Sequence, residues 1–261
     1  MKDTDIDISK PAPHKKSVSM PAWFGFLCVV VILCAICAVT WCLLYFMSDD
    51  VTVAVSETVL RKQYPVIVVD AGHGGIDGGA VGVDGSLEKD LNLDVSKRLA
   101  ELLRLAGIDC VMTRTEDRML ADESMKSHRK MHDLKNRLSV VKLITEGGRD
   151  AVLLSVHMNN FSSPKYSGLQ VWYSQCKEES SQLASCVQDY AREWLDTTNN
   201  RKIKPATSAI YMLDRATVPA ILIECGFLSN PEECSRLASE EYRRDLAVTV
   251  FAAVAQWLSN L

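Results

Sequence analysis

The sequence lacks a basic excess. Across its 261 residues, 29 lysines and arginines stand against 33 acidic residues, and the formal net charge is −4. A protein that binds nucleic acid through its phosphates needs a basic excess or a clear basic stripe, and neither is present. Internal repeats and low-complexity segments are absent too. The 48% apolar content is ordinary for a packed core, so we expect one ample folded domain plus an appendage and no nucleic-acid partner.

The chain after residue 47 also lacks a CxxC pair. Because this part of the chain has an odd number of cysteines, they cannot all form disulfides with one another. The five are Cys110, Cys176, Cys186, Cys225 and Cys234. Their spacing predicts neither a zinc knuckle nor a disulfide-dense scaffold. One bridge stays open as an alternative.

Residues 21–47 contain no charged residue. As a helix this run would be roughly 40 Å long, against a bilayer hydrocarbon core of about 30 Å. It is too long for the apolar region of a typical secretory signal, and no convincing A-x-A site follows it. We therefore predict a retained transmembrane signal anchor at 21–47, with a cleaved peptide or a buried soluble helix as the alternatives.

Charges flank this run unequally. Lys15 and Lys16 precede it, whereas Asp49 and Asp50 follow it. The positive-inside bias puts the amino terminus in the cytosol and the rest of the chain outside. The predicted parts are a cytosolic tail, the anchor, a linker and one domain that works on the external face: 1–20, 21–47, 48–63 and 64–261.

Beyond residue 63, apolar runs of strand length alternate with helical stretches. Strands are predicted at 65–70, 108–113, 151–157, 168–174, 209–213 and 219–224. Helices are predicted at about 87–105, 130–146 and 179–196, and then to the end of the chain. This order is typical of an α/β fold, a three-layer αβα domain with a mostly parallel or mixed central sheet.

Local signals mark some boundaries. Gly107 stands where a helix C-cap is expected, and Asn230 is an N-cap candidate followed by Pro231 at N1 and Glu233 at N3. The stretch 115–129 is charged and has no apolar period. It therefore predicts a long surface loop.

Two histidines stand at the ends of strand-like runs. His73 lies in DAGHGG, where glycines let the backbone turn sharply and let a ligand approach, as a metal site with an open position requires. A phosphate loop is excluded because the lysine and hydroxyl of GxxxxGK[ST] are missing. His157 ends AVLLSVH, and open α/β sheets place ligands outside the carboxyl ends of their strands. The alternative for His157 is a buried histidine bonded to a backbone carbonyl.

Two carboxylates extend this set. Glu224 ends VPAILIE, whose apolar residues should desolvate the carboxyl and raise its pKa, as a general base needs near neutral pH. A strand-end acid paired with an arginine is the alternative. Glu88 begins a helix, where the helix dipole favours acids, but it would also complete a metal site with the histidines.

Two weaker arrangements remain. Cys225 next to Glu224 could be a nucleophile with a histidine base, but nothing nearby indicates an activated thiolate. His128 and His132 have the spacing of a helical zinc pair, but the HExxH glutamate is missing and the flanking cations oppose metal binding. We predict that these two histidines lie on a surface helix.

Four motifs together, DAGHGGxDGGA, LEKDLNL, SVHMNN and IECGFLSNPEE, resemble those of the zinc-dependent N-acetylmuramoyl-L-alanine amidases of bacteria, the amidase type 3 family. The resemblance covers residues 65–260. Further stretches, among them KYSGLQVWY, resemble the sporulation branch, whose members trim spore-cortex peptidoglycan on the way to muramic lactam. The resemblance implies Zn²⁺ held by His73, Glu88 and His157, with Glu224 as the catalytic acid/base.

The implied reaction is hydrolysis of the amide bond between N-acetylmuramic acid and L-alanine, which releases stem peptides in spore-cortex maturation and germination. A zinc carboxypeptidase acting on stem peptides and a catalytically idle wall-binding domain are the alternatives. The expected location is the cell wall or the forespore intermembrane space, with peptidoglycan as substrate and the membrane contacted through the N-terminal helix.

The segment after His157 departs from some periplasmic relatives, which carry a self-blocking helix there. Only residues 158–167 precede the next predicted strand, so such a helix has no room. Control would then come from expression, localisation or a regulatory protein partner. Groove candidates near the site are Asn159, Asn160, Tyr166 and Trp172, with core or loop packing as the alternative for the last two.

Overall fold

The computed structural model describes residues 23, 26–27, 30–43, 64–122, 124 and 127–261. The chain divides into two units, Met1–Gln63 and Tyr64–Leu261. In the first unit, residues 30–43 form a helix, α1. None of the helices among the described residues combines the length and apolarity needed to cross a membrane. The predicted tail and linker and part of the predicted anchor lie outside the described residues, so all three stay predictions.

The second unit alternates strands and helices. Its strands are β1 (Val66–Ala71), β2 (Cys110–Met112), β3 (Ala151–Asn159), β4 (Gln170–Tyr173), β5 (Lys204–Pro205) and β6 (Ala220–Phe227). Its helices are α2 (Glu88–Leu105), α3 (Arg129–Glu146), α4 (Glu178–Trp194), α5 (Tyr211–Asp214), α6 (Pro231–Ala238) and α7 (Glu240–Ser259).

The strands form one mixed sheet in the order β2-β1-β3-β6-β4-β5. Strands β2, β1, β3 and β6 run parallel, β4 runs antiparallel to β6, and β5 runs parallel to β4. The carboxyl ends of β1, β3 and β6 therefore share one edge of the sheet with the amino end of β4. At that edge Glu224 pairs with His157 on one side and with Gln170 on the other.

Helices cover both faces of the sheet, which confirms the predicted three-layer α/β architecture. On one face, the larger core joins the strands to α2, α4, α6 and α7; the α2 stripe that it buries consists of Leu91, Val95, Leu99 and Leu103. On the other face, a smaller core joins β3 and β6 to α3 and α5 through Val141, Met212 and Leu213. Burial of alternate strand residues on both faces explains the nearly continuous apolar runs of β1 and β3.

The predicted strand 209–213 is wrong. Residues Tyr211–Asp214 form the short helix α5, closed by bonds from Leu213 N and Asp214 N to Ile210 O. The strand that pairs with β4 is instead β5, Lys204–Pro205. Both of its residues are exposed, and they show no apolar pattern in the sequence. An apolar run this short cannot distinguish a strand from a helix by its period.

The predicted boundary signals at Gly107, Asn230 and Pro231 are confirmed, whereas the predicted capping by Glu233 is not. Gly107 adopts φ +75° just after α2, and Asn230 caps α6 by accepting from the backbone N–H groups of Glu232 and Glu233, with proline at the first helical position. The Glu233 carboxylate does not turn back to the cap. It accepts from Gly168 N and Phe227 N, each at 2.8 Å, and so joins the loop before β4 to the end of β6.

Candidate metal centre and active site

His73, Glu88 and His157 converge at the sheet edge. The Nε2 atom of His73 lies 3.1 Å from Glu88 Oε2, and Nδ1 of His157 lies 2.9 Å from Glu88 Oε1. One donor atom from each residue lies within 4.8 Å of the other two, and no other group of this kind occurs in the part of the chain that the structure describes. Ligands of a tetrahedral zinc lie roughly 3–4 Å apart, so two imidazoles and a carboxylate fit zinc by chemistry and by size.

Two glycines make room for this cluster. A Cβ on Gly72 would lie 2.2 Å from Cε1 of His157, and one on Gly79 would lie 2.5 Å from Glu88 Oε2. The backbone of His73 itself adopts φ 60°, a left-handed conformation that is uncommon for residues other than glycine. The glycine-rich sequence is therefore needed for the close approach of three side chains.

Backbone and side-chain donors orient Glu88. Its Oε2 accepts from Ala80 N at 2.8 Å, and its Oε1 accepts from Met158 N at 3.1 Å and from Asn92 Nδ2 at 3.2 Å. Burial raises the pKa of Glu88, but hydrogen bonds and charge from the two histidines outweigh burial and hold the pKa well below its usual range. Glu88 is thus an ionised, oriented ligand candidate rather than only an acid favoured by the helix dipole.

Asp77 supports His73 from the other side. Its Oδ2 lies 3.0 Å from Nδ1 of His73, and Lys130 Nζ lies 3.5 Å from the same oxygen. Burial lowers the pKa of His73, but bonds to Asp77 and Glu88 outweigh it and raise the pKa to about 9 in the metal-free protein. A carboxylate on the second nitrogen of a ligating histidine fixes the tautomer and the ring orientation. Asp77 is not among the residues predicted from the sequence, although it lies in the motif GHGGID.

Glu224 lies beside His157 but makes no contact with an arginine in the described chain, against the alternative of a structural ion pair. Its Oε2 is buried and has no hydrogen-bond partner among the described residues. Burial raises the pKa of Glu224 to about 7, with Glu88 adding to the rise and both histidines opposing it. A carboxyl group with this pKa can take and return a proton near neutral pH.

Two buried arginines bind the backbone of residues 71–73, which is called the histidine loop here. Arg137 donates to Ala71 O at 2.6 Å and to His73 O at 2.5 Å, while Arg114 donates to Ala71 O and Gly72 O, each at 2.9 Å. Arg137 also pairs with Asp70 at 2.8 Å and with Asp133 at 2.7 Å. This network was not predicted from the sequence, because an arginine in a loop and an arginine on a helix carry no pattern that predicts burial.

The weaker arrangements find no support. Cys225 is buried, and burial raises the pKa of its thiol far above the usual range, which opposes thiolate chemistry. His128 and His132 are exposed at the start of α3, as predicted. All eight cysteines that the structure describes are free thiols.

Comparison with known proteins decides the family. The family model described as N-acetylmuramoyl-L-alanine amidase matches residues 67–256. The chain belongs to this family. The germination-specific N-acetylmuramoyl-L-alanine amidase of Bacillus subtilis is 38% identical to this amidase over 197 residues, which is 75% of this chain and 80% of the relative. These findings confirm the predicted amidase activity on peptidoglycan.

Solved structures agree. The CwlD amidase of Clostridioides difficile, solved in complex with the GerS lipoprotein, matches with a TM-score of 0.70 and 36% identity over 76% of this chain and 100% of that one. The AmiC2 amidase of Nostoc punctiforme matches with a TM-score of 0.64 and 30% identity over 75% and 97% of the two chains. The germination-specific relative and CwlD together confirm the resemblance of this amidase to the sporulation branch.

The predicted surroundings of the site are confirmed in part. In this amidase, residues 160–169 contain no helix, in agreement with the prediction that a self-blocking helix has no room there. Asn159 ends β3 beside the site, and Asn160 is exposed just beyond it. Tyr166 stands half-exposed against Phe161, whereas Trp172 packs on the smaller core, as its alternative predicted.

Proposed function

We propose that this amidase depends on zinc, with His73, Glu88 and His157 as the three protein ligands and Glu224 as the acid/base. The observation that supports this most is the convergence of three donor atoms within 4.8 Å, with Glu224 on the neighbouring strand. Three ligands leave one position for water or substrate, which is typical of a catalytic rather than a structural zinc.

Zinc bound there would supply a Lewis acid that lowers the pKa of water and polarises the scissile carbonyl. The protein's own part is proton transfer at the carboxyl of Glu224. As a carboxylate, Glu224 accepts the proton of the attacking water, and it then returns that proton to the nitrogen of the departing L-alanine. Its buried oxygen without a partner is the atom available for this exchange.

The other side chains position the reacting groups. Glu88 is held by three donors, and His73 is held between Glu88 and Asp77. Arg114 and Arg137 secure the backbone that carries His73. Because these groups are in place before substrate arrives, little reorganisation is needed during the reaction.

We further propose that this amidase acts in spore-cortex maturation, on the way to muramic lactam, at the external face of a membrane to which residues 21–47 anchor it. The germination-specific relative supports the cortex role, and the uncharged run supports the anchor. The complex of CwlD with a lipoprotein supports a protein partner as the means of control, and residues 160–169 between β3 and β4 form no self-blocking helix.

Digestion of purified peptidoglycan tests the reaction. Mass spectrometry should show muramic acid that has lost its whole stem peptide, and a chelator should abolish the release. Loss of only a terminal residue would identify a carboxypeptidase instead. His157→Ala should lose both zinc and activity, whereas the exposed His132→Ala, a matched histidine control, should keep both.

The biological role needs a separate measurement. Spores of a strain without this gene should contain cortex that lacks muramic lactam, and the wild-type gene should restore it. Normal muramic lactam in the mutant cortex would refute the proposed place of the enzyme.

A further inference from the structure

A guanidinium group stands at the same sheet edge as Glu224, on the side away from the histidines. Glu224 on β6 pairs with Gln170 on β4, so their side chains point to the same face. Gln170 Oε1 accepts a hydrogen bond of 3.1 Å from Nη1 of Arg201. Because paired strand residues are about 5 Å apart, the charge of Arg201 lies on the order of 8 Å from the Glu224 strand position.

This guanidinium is held in place. Its Nε donates to Ser167 O at 2.5 Å, and its carbon lies 4.3 Å from the centroid of the buried Phe227 ring. The Tyr166 ring is 6.0 Å away on the same side. Gln170 is itself tied down by a bond from Nε2 to Lys202 O at 2.8 Å. The Arg201 side chain is therefore preorganised, so its guanidinium group loses little conformational entropy when it binds a ligand.

The charge of Arg201 has no neutralising ion-pair partner in the part of the chain that the structure describes. Among the described residues, no carboxylate lies within 4.0 Å of it, and its Nη2 makes no hydrogen bond. Glu233 attracts it electrostatically, but both carboxylate oxygens of Glu233 already accept from backbone N–H groups. Burial lowers the pKa of Arg201, as expected for a desolvated cation without a close counter-ion. A planar cationic donor is thus left available beside the catalytic carboxyl.

The substrate carries a matching anion at the right distance. In peptidoglycan the residue after L-alanine is a D-glutamate linked through its side chain, so its α-carboxyl group is free unless it is amidated. Two residues of extended chain span about 7 Å, close to the separation of Arg201 from the Glu224 position. We propose that Arg201 binds this α-carboxylate and makes the enzyme select stem peptides whose D-glutamate is not amidated. The inference rests on the proposed catalytic role of Glu224, because that role places the scissile amide next to Glu224.

The test compares two glycan–peptide fragments that differ only in that group, D-isoglutamate in one and D-isoglutamine in the other. The zinc-loaded full-length protein should cleave the acid with a kcat/KM about tenfold or more above that of the amide, because a charge-assisted bidentate pair is lost with the amide. The difference should lie mainly in KM, since this contact is remote from the reacting atoms. Arg201→Gln should abolish the preference by slowing cleavage of the acid alone.

A neighbouring lysine gives the matched control. Lys202→Gln removes the same charge from an exposed side chain, and it should keep the preference. Equal slowing of both substrates by Arg201→Gln would show a merely structural role, and equal loss of preference in Lys202→Gln would show long-range electrostatics; either result overturns the assignment. Calorimetric binding of both fragments to Glu224→Gln separates the two proposals. If that variant prefers the acid while the wild type cleaves neither fragment, the assignment of Arg201 holds and the amidase mechanism fails.

Discussion

Replacing Glu224 with glutamine should separate catalysis from stability. The amide keeps the shape of the side chain but can neither accept nor return a proton. General acid–base catalysis contributes typically about 10² to 10⁴ in rate, so peptide release from purified wall should fall by at least that factor. Zinc content should stay at the wild-type level, because Glu224 is not among the three residues whose donor atoms converge.

The same change should stabilise the metal-free protein at alkaline pH. Burial raises the pKa of Glu224 from 4.5 to about 7, which corresponds to about 3 kcal/mol between the two protonation states. Because the folded-state pKa is raised, the contribution of Glu224 to the stability of the wild type is fully present below pH 4.5 and is lost progressively as the pH rises through about 7. The variant stays neutral at every pH, so its free energy of unfolding should exceed that of the wild type by about 3 kcal/mol at pH 8 and match it near pH 4.

Urea unfolding of the chelator-treated protein at the two pH values measures this difference. Glu193→Gln, on an exposed part of α4, is the control and should change the free energy of unfolding by less than about 0.5 kcal/mol at either pH. Full amidase activity in the Glu224 variant would refute the proton-transfer role. A variant no more stable than the wild type at pH 8 would refute the desolvation argument.

Three further substitutions probe the support of the site. Gly72→Ala should crowd the ring of His157 and weaken zinc binding in a competition assay with a chromophoric chelator, whereas Gly78→Ala, whose Cβ would lie 3.8 Å from its nearest neighbour, should bind zinc normally. Asp77→Asn should weaken zinc affinity by about 10- to 100-fold, and unchanged affinity would argue against the orienting role. Arg137→Met leaves two buried carboxylates unpaired and should cost about 3–5 kcal/mol in urea unfolding, against less than about 1 kcal/mol for Arg149→Met at an exposed pair.

The three-layer fold and the strand-end positions of three of the four candidate site residues could be predicted from the sequence. Long apolar runs before His73, His157 and Glu224 predicted buried strands, and the rule that ligands gather at their carboxyl ends predicted the shared edge. Glu88 needed the family resemblance, because a first-turn acid is ordinary by itself. The structure places all four together, and their roles as ligands and acid/base are proposals for the experiments above.

What escaped prediction depends on tertiary contacts. The run 209–213 is too short for its period to distinguish a strand from a helix, and Lys204–Pro205 pairs with β4 without any apolar pattern. In the sequence Arg137 is indistinguishable from a polar residue on a surface helix, and only the structure shows that it pairs with Asp70. The position of Arg201 near Glu224 likewise could not be predicted, because it depends on Gln170, which bonds to Arg201 and pairs with Glu224 across β4 and β6.

The two arginines beneath the histidine loop affect how the site responds to acid. Burial raises the pKa of Asp70, but Arg137 and hydroxyl bonds from Ser155 and Thr113 outweigh it, so this carboxyl stays ionised at acidic pH while guanidinium groups stay charged throughout. The loop is thus secured by groups that do not titrate where imidazoles do. Acidification should release the proposed zinc from a loop that keeps its shape, and neutralisation should allow rebinding without refolding. On the proposed zinc site, one folded molecule then loses and regains its metal many times.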